Sequence, residues 1–258
     1  MRHSPVNTTV TPLVAVAHGS RDPRAAATVE ELLSAVRARR PRLRVVTSYL
    51  DHAPPTPVQV LGGLEAEGPV TTTAVVLPLL LTAAYHSKTD IPGALAEARR
   101  RHPRLTVRYG ATLGPHPLLV AALERRLAEA GVRIGDPDTA VVLVSAGSSD
   151  PSANAVIART ARAWRRRGWR AVVPAYASAA APAPGQAVRA LRESGAERVV
   201  VASYFLAPGY FADTVRDEAL RTGADVVSPV LGAAPELADI VLQRYAEAVT
   251  DVRSAAAG

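Results

Sequence analysis

Short apolar runs alternate with amphipathic stretches along the first half of the chain. Residues 13–17 (LVAVA) read as a buried strand and residues 25–40 as an amphipathic helix. The same alternation predicts strands over residues 43–50, 74–82 and 105–112, with helices over residues 56–67, 89–101 and 117–130. Strands that are apolar throughout, separated by helices, argue for a parallel sheet covered on both faces. Pro78 falls inside the third strand, where it cannot donate to a ladder, so a local irregularity is expected there.

The pattern then restarts. His18-Gly19-Ser20-Arg21-Asp22-Pro23 returns as Ala146-Gly147-Ser148-Ser149-Asp150-Pro151. Tyr49 with Pro57-Val58-Gln59 returns as Tyr176 with Pro184-Gly185-Gln186. Tyr85-His86 before Thr89 returns as Tyr210-Phe211 before Thr214, and Leu113-Gly114 as Leu231-Gly232. The matches keep their order, and the copies differ by small deletions. The fold class expected is α/β: two tandem, pseudo-symmetric parallel-sheet domains, residues 1–134 and 139–258, facing a shared cleft. Residues 135–138, polar and proline-bearing, read as the linker.

Composition narrows the function classes. The length of 258 residues suits two domains of ordinary size. Apolar residues make up 48% and aromatics only 4%, so the core must be Ala, Val and Leu. No apolar run approaches the roughly 18 residues a bilayer-spanning helix needs, and the N-terminal stretch lacks the apolar segment of a signal peptide. The absence of cysteine excludes disulfides, thiolate metal sites and iron–sulfur clusters. A cytoplasmic monomer without membrane contact is the expectation. The net charge of +7 suggests an anionic partner. No stretch interleaves basic residues with aromatics, so nucleic acid is not expected. The run Arg165-Arg166-Arg167 reads as a solvated helix end.

All 6 histidines lie at or before position 116. Ligands of open parallel sheets bind beyond the carboxyl ends of the strands. His18 follows the first strand, Asp51 the second, His86 the third and His116 the fourth. His102 ends a helix and should face solvent at the opposite edge. Asp22 and Pro23 suit the N-cap and first position of a helix, and Gly19 and Ser20 suit the turn before it. None of that accounts for His18. Ser87 and Asp90 have capping-box spacing, which leaves His86 equally unexplained. Asp51 either caps the next turn or carries chemistry, and His116 reads as structural. The second copy serves as an internal comparison. It keeps Gly147, Asp150 and Pro151 but replaces His18 by Ala146, Asp51 by Ser178 and His86 by Phe211.

His18-Gly-Ser-Arg-Asp after an apolar strand, and LLLTAAYHSKTDIP over residues 79–92, resemble the sirohydrochlorin chelatases (CbiX/SirB type) of the class II chelatase superfamily, in their long two-domain form. Tyr49-Leu50-Asp51 is similar to the family's aromatic-Leu-acid segment, in which the acid is often glutamate. His52 stands where the family usually has an apolar residue and is given no role. The resemblance implies insertion of Fe²⁺ or Co²⁺, with Ni²⁺ a third candidate, into sirohydrochlorin on the way to siroheme or cobalamin. It implies His18 and His86 as metal ligands and, with Asp51, as the catalytic set. No permanently bound cofactor is expected, since the metal is itself a substrate.

The chemistry agrees with that implication. Two imidazoles with open coordination positions hold a metal loosely enough to surrender it. Two pyrrole protons must leave, and a neutral imidazole or carboxylate can take them, worth on the order of 10² to 10⁴ in rate. Arg21 and Lys88 are candidates for the substrate's carboxylates, with Ser20 beside them and Phe211 against the macrocycle. Arg24 reads as a solvated surface residue. Two other readings remain: a metal or tetrapyrrole carrier without turnover, and a histidine phosphatase-like hydrolase. The second lacks support, because those enzymes carry an arginine just before the histidine and Ala17 stands there.

Overall fold

The computed structural model describes residues 10–68, 72–83 and 89–255, with side chains described up to residue 250. The first copy runs β1 (Leu13–Ala17), α1 (Pro23–Arg39), β2 (Val45–Tyr49), α2 (Pro57–Glu67), β3 (Thr72–Pro78), α3 (Ile91–Arg101), β4 (Leu105–Tyr109) and α4 (Pro117–Glu129). The second runs β5 (Thr139–Ser145), α5 (Pro151–Arg165), β6 (Ala171–Tyr176), α6 (Pro184–Glu193), β7 (Arg198–Ser203), α7 (Tyr210–Arg221), β8 (Val226–Val227) and α8 (Pro235–Ala255). Each copy forms one four-stranded parallel sheet. The strand orders are β2-β1-β3-β4 and β6-β5-β7-β8, so the topology repeats as the sequence does.

Period-2 alternation divides each strand between two cores. Leu13, Ala15 and Ala17 of β1 face a central core, which also takes Val141 and Leu143 of β5 and side chains from α1, α4, α5 and α8. Val14 and Val16 face outward onto α2 and α3. In the second copy Val142 and Val144 face α6 and α7. Four helices are thus sandwiched between the sheets, and two more cover each outer face.

The helix starts follow their caps. Asp22 accepts from Arg24 N at 2.9 Å and Asp150 from Ser152 N at 2.9 Å. Thr56 N donates to Gln59 Oε1 at 2.8 Å, as Ala183 N does to Gln186 Oε1 at 2.9 Å. Pro78 ends β3, so the expected strand over 74–82 is instead Thr72–Pro78. The ladder explains why. Leu79 N donates to Val16 O on the β1 side, which leaves the Pro78 nitrogen turned toward β4, one step beyond the last β4 pairing at Val76 and Tyr109. No donor is needed there, and the polar Thr72 and Thr73 extend the strand at its other end.

The last helix of each copy crosses to the other. α8 packs on β3 and β4 of the first sheet and on α1 and α4, while α4 reaches β7 of the second sheet. Tyr245 of α8 donates to Thr11 O at 2.6 Å, and Arg126 of α4 donates to Leu231 O at 2.8 Å. Trp164 of α5 donates from Nε1 to Glu124 of α4 at 2.9 Å, and Arg167 pairs with the same carboxylate at 3.1 Å. The basic run at the end of α5 is therefore partly an anchor between copies, not only a solvated end.

Candidate active site

In a sheet ordered β2-β1-β3-β4 the chain reverses direction between β1 and β3, which opens a crevice at their carboxyl ends. The second sheet has the same crevice between β5 and β7. Both open into one cavity of about 550 Å³, lined by residues 17–20, 79–82, 145–149 and 204–207. Most of this lining is apolar or small. Tyr204, buried, closes the floor by donating its hydroxyl to Leu81 O at 3.1 Å, and burial pushes its phenol well above the ordinary tyrosine range. Phe211, at the start of α7, also lines the cavity and is 43% exposed. Tyr210 packs edge-on against Phe211 with ring centroids 5.7 Å apart. Tyr204 belongs to the central core and Phe205 to the outer core of the second copy.

Two equivalent turns frame the cavity. Gly19 has φ +93° and Gly147 φ +81°. A Cβ on Gly19 would collide with Asp51 O, and one on Gly147 with Ser178 O. The approach is fixed by Asp51 N donating to His18 O and Ser178 N to Ala146 O, each at 2.9 Å. Ser20 Oγ accepts from Asp22 N at 3.0 Å, and Ser148 Oγ from Asp150 N at 3.0 Å. The turn is common to both copies; the imidazole of His18 occurs in the first alone.

His18 is exposed and stands between two cavities. On one side is the cavity just described. On the other is a more polar one of about 540 Å³, lined by His18, Asp51, Gln59, Asp90, Glu97 and Arg101 among others. Asp90 precedes α3 and makes no side-chain cap hydrogen bond to that helix, while the capping box expected of Ser87 and Asp90 lies partly outside the described residues. Asp51 is exposed and accepts from the backbone N–H of His52 at 2.7 Å.

His52, given no role from sequence, lies beside His18. The two rings are nearly parallel, with centroids 6.4 Å apart, and His52 Nε2 is 3.4 Å from Asp51 Oδ2. His52 has φ +65°, and its counterpart Ala179 has φ +58°, so the left-handed backbone belongs to the fold and the imidazole to the first copy. The comparison between copies would have found it, since His52 is replaced by Ala179 just as His18 is by Ala146. His18, His52 and Asp51 are thus neighbours, but among the described residues no three His, Asp or Glu side chains are placed to hold one metal ion. His86 and Lys88, with Ser87 and Tyr85, lie outside the described residues.

The remaining candidates separate. Arg21 is exposed at the start of the α1 turn. Arg24, read as solvated, is held by both oxygens of Asp22, donating from Nε to Oδ1 at 3.1 Å and from Nη2 to Oδ2 at 2.6 Å, and by Asp213 of α7. Hydrogen bonds from Arg24 hold the Asp22 carboxyl below the ordinary aspartate range. His116 is structural: Nδ1 accepts from Leu118 N at 3.2 Å to cap α4, and Nε2 meets Gln243 at 3.0 Å. His102 does lie at the opposite sheet edge, but it faces Glu65 at 3.0 Å and not open solvent.

Comparison with known proteins follows the same division into copies. The sequence model of the CbiX family matches residues 12–130 and again residues 140–248. The chain is 32% identical over 198 residues to a sirohydrochlorin cobaltochelatase of Priestia megaterium, covering 75% of this chain and 63% of that protein's length. It is 28% identical over 184 residues to a sirohydrochlorin ferrochelatase of the same organism, covering 71% and 68%. SirB from Bacillus subtilis, solved with Fe3+, superposes with a TM-score of 0.83 at 24% identity, over 95% of this chain and 97% of that one. Its counterpart from B. subtilis subspecies spizizenii in complex with cobalt gives 0.78 at 23% identity over the same shares. These structural likenesses are likenesses of fold. The two family matches cover both copies nearly end to end, and this chain is a member of the CbiX family.

Proposed function

We propose that this chain inserts a divalent metal into sirohydrochlorin, the tetrapyrrole lying in the cavity between the copies. The observation that carries the reading is His18, which stands where the apolar cavity meets a more polar one of similar volume lined by Asp51, Asp90, Glu97 and Arg101. A flat, largely apolar macrocycle suits the first chamber and a cation the second, and the imidazole between them can receive the ion and release it to pyrrole nitrogens. Two curated relatives named as sirohydrochlorin chelatases support the substrate.

In this reading His18 and His86 hold the metal as neutral imidazoles and leave positions open for exchange. Insertion replaces two pyrrole N–H bonds by bonds to the metal, so two protons leave. Asp51, exposed beside His18, is the proposed acceptor for one of them, and an imidazole freed of metal can take the other. Arg21 and Lys88 attract the substrate's carboxylates, Ser20 offers a hydroxyl at the first turn, and Phe211 lies against the macrocycle face. Fe²⁺ and Co²⁺ are the metals proposed, with Ni²⁺ third, and no resident cofactor takes part.

The test is anaerobic incubation of the full chain with sirohydrochlorin and Co²⁺ or Fe²⁺, followed by absorbance. Many turnovers per chain are expected, and stoichiometric binding without turnover would make the protein a carrier. His18→Ala and His86→Ala should each lower turnover by about 10² or more. Near-normal turnover in His18→Ala would remove the central assignment.

A further inference from the structure

The turn at the start of α1 carries a charge that its counterpart does without. Asp150 caps α5 and is followed by Ser152 where the first copy has Arg24. Asp22 caps α1 in the same way through its hydrogen bond to the backbone of residue 24. The guanidinium is therefore not needed to build the turn. Nor is it needed to join the copies, which α4 and α8 already interlock. The Arg24–Asp213 contact is the wrong kind for that purpose, because its partners are 54% and 51% exposed and such pairs contribute little.

Its location is informative. Ala25 and Ala26, next to Arg24, line the cavity between the copies, and so does Phe211, two residues before Asp213. The ion pair spans the rim from α1 to α7. Asp22 takes Nε and Nη2 of Arg24 and so fixes the plane of the guanidinium, while Asp213 Oδ2 reaches Nη2 at 2.5 Å. A carboxylate from one copy thus occupies a pre-oriented donor at the mouth of a cavity whose ligand, on the reading above, bears many carboxylates.

We propose that Arg24 is a subsite for a carboxylate arm of the ligand, and that Asp213 fills it until the ligand arrives. The inference rests on the proposed function and deepens it by naming a residue that takes the acid side chains. The step is an exchange of one carboxylate for another at Nη2, with no covalent bond changed. With Asp213 in place, Asp22, Arg24 and Asp213 together carry one net negative charge, which repels an anionic arm. Once Asp213 swings into solvent, the oriented donor remains, and the cost of orienting it is already met by Asp22.

The test is equilibrium binding of metal-free sirohydrochlorin to the full chain, read by dialysis and absorbance, so that insertion plays no part. Asp213→Asn removes the competitor and should tighten binding about two- to fivefold. Arg24→Gln should weaken it by about fivefold or more. Asp213→Asn added to Arg24→Gln should then give no gain. Asp217→Asn, one turn further along α7, controls for general charge. A gain equal to that of Asp213→Asn, or a gain surviving in the Arg24→Gln background, would show nonspecific electrostatics and overturn the subsite. If wild type binds sirohydrochlorin and neither Asp213→Asn nor Arg24→Gln moves the affinity, the subsite falls while the proposed function stands. If wild type binds none, both fall.

Discussion

At the scale of the residue, the two copies separate what the fold requires from what it does not. Gly19 and Gly147 occupy the left-handed region, and in each case a Cβ would strike the carbonyl of the neighbouring strand's exit loop. Gly19→Ala and Gly147→Ala should each cost about 2–4 kcal/mol, combining a strained φ with a backbone clash. Urea denaturation measures this, and a loss below about 0.5 kcal/mol in either variant would mean the turn tolerates a side chain. His18, Asp51 and these glycines were legible because a motif and its altered repeat stand side by side in one chain. Arg24 was not. Its Asp22 partner is local, but Asp213 lies in the other copy, and no spacing pattern brings them together.

At the scale of the element, strand and helix order could be read directly, since apolar runs and caps act locally. Ends were harder. Residues 79–82 continue the apolar pattern of β3 although the sheet has ended, because they line a cavity and Leu79 enters the core. Burial alone cannot distinguish that from a strand. The opposite edge holds a second feature hidden from sequence. Glu65 of α2 accepts from Arg104 N at 2.9 Å and meets His102 Nδ1 at 3.0 Å, tying α2 to the end of α3 and the start of β4. Gly62 makes room, since a Cβ there would lie 2.7 Å from the His102 ring. Burial works to raise the Glu65 carboxyl, but the hydrogen bonds from Arg104 and His102 and their charges hold it below the ordinary glutamate range. A depressed folded value contributes stability that is present above the unfolded value and lost as pH falls through the folded one. Glu65→Gln should therefore lower the melting temperature at pH 7, and the gap to wild type should close below about pH 4. A gap independent of pH from 7 to 3 would show that the carboxylate charge is not what matters.

At the scale of the whole molecule, the tandem repeat was legible but the crossing of its last helices was not. Amphipathicity shows that α8 has an apolar face, not which sheet that face covers. Its choice of β3 and β4 changes what can be expected of a half chain. Residues 1–134 alone would leave that face uncovered where α8 packs on β3 and β4, so their activity would not report on the site in isolation. It also makes stability a shared property. Ile240 and Val241 of α8 are fully buried in a central core that holds side chains from both copies. The copies should therefore unfold together. Both tryptophans, Trp164 and Trp169, are buried in the second copy, and Trp164 is bonded to Glu124 of the first, so their fluorescence follows the second copy and its contact with the first, whereas far-UV circular dichroism follows both copies throughout. In urea the two signals should give one coincident transition. Ile240→Ala removes buried volume between the copies at a cost of about 2–5 kcal/mol, and it should move both transitions to lower urea together. If circular dichroism in this variant resolves two steps, the copies unfold separately. The repeat would then be two independent domains, and the cavity between them would not depend on a common core.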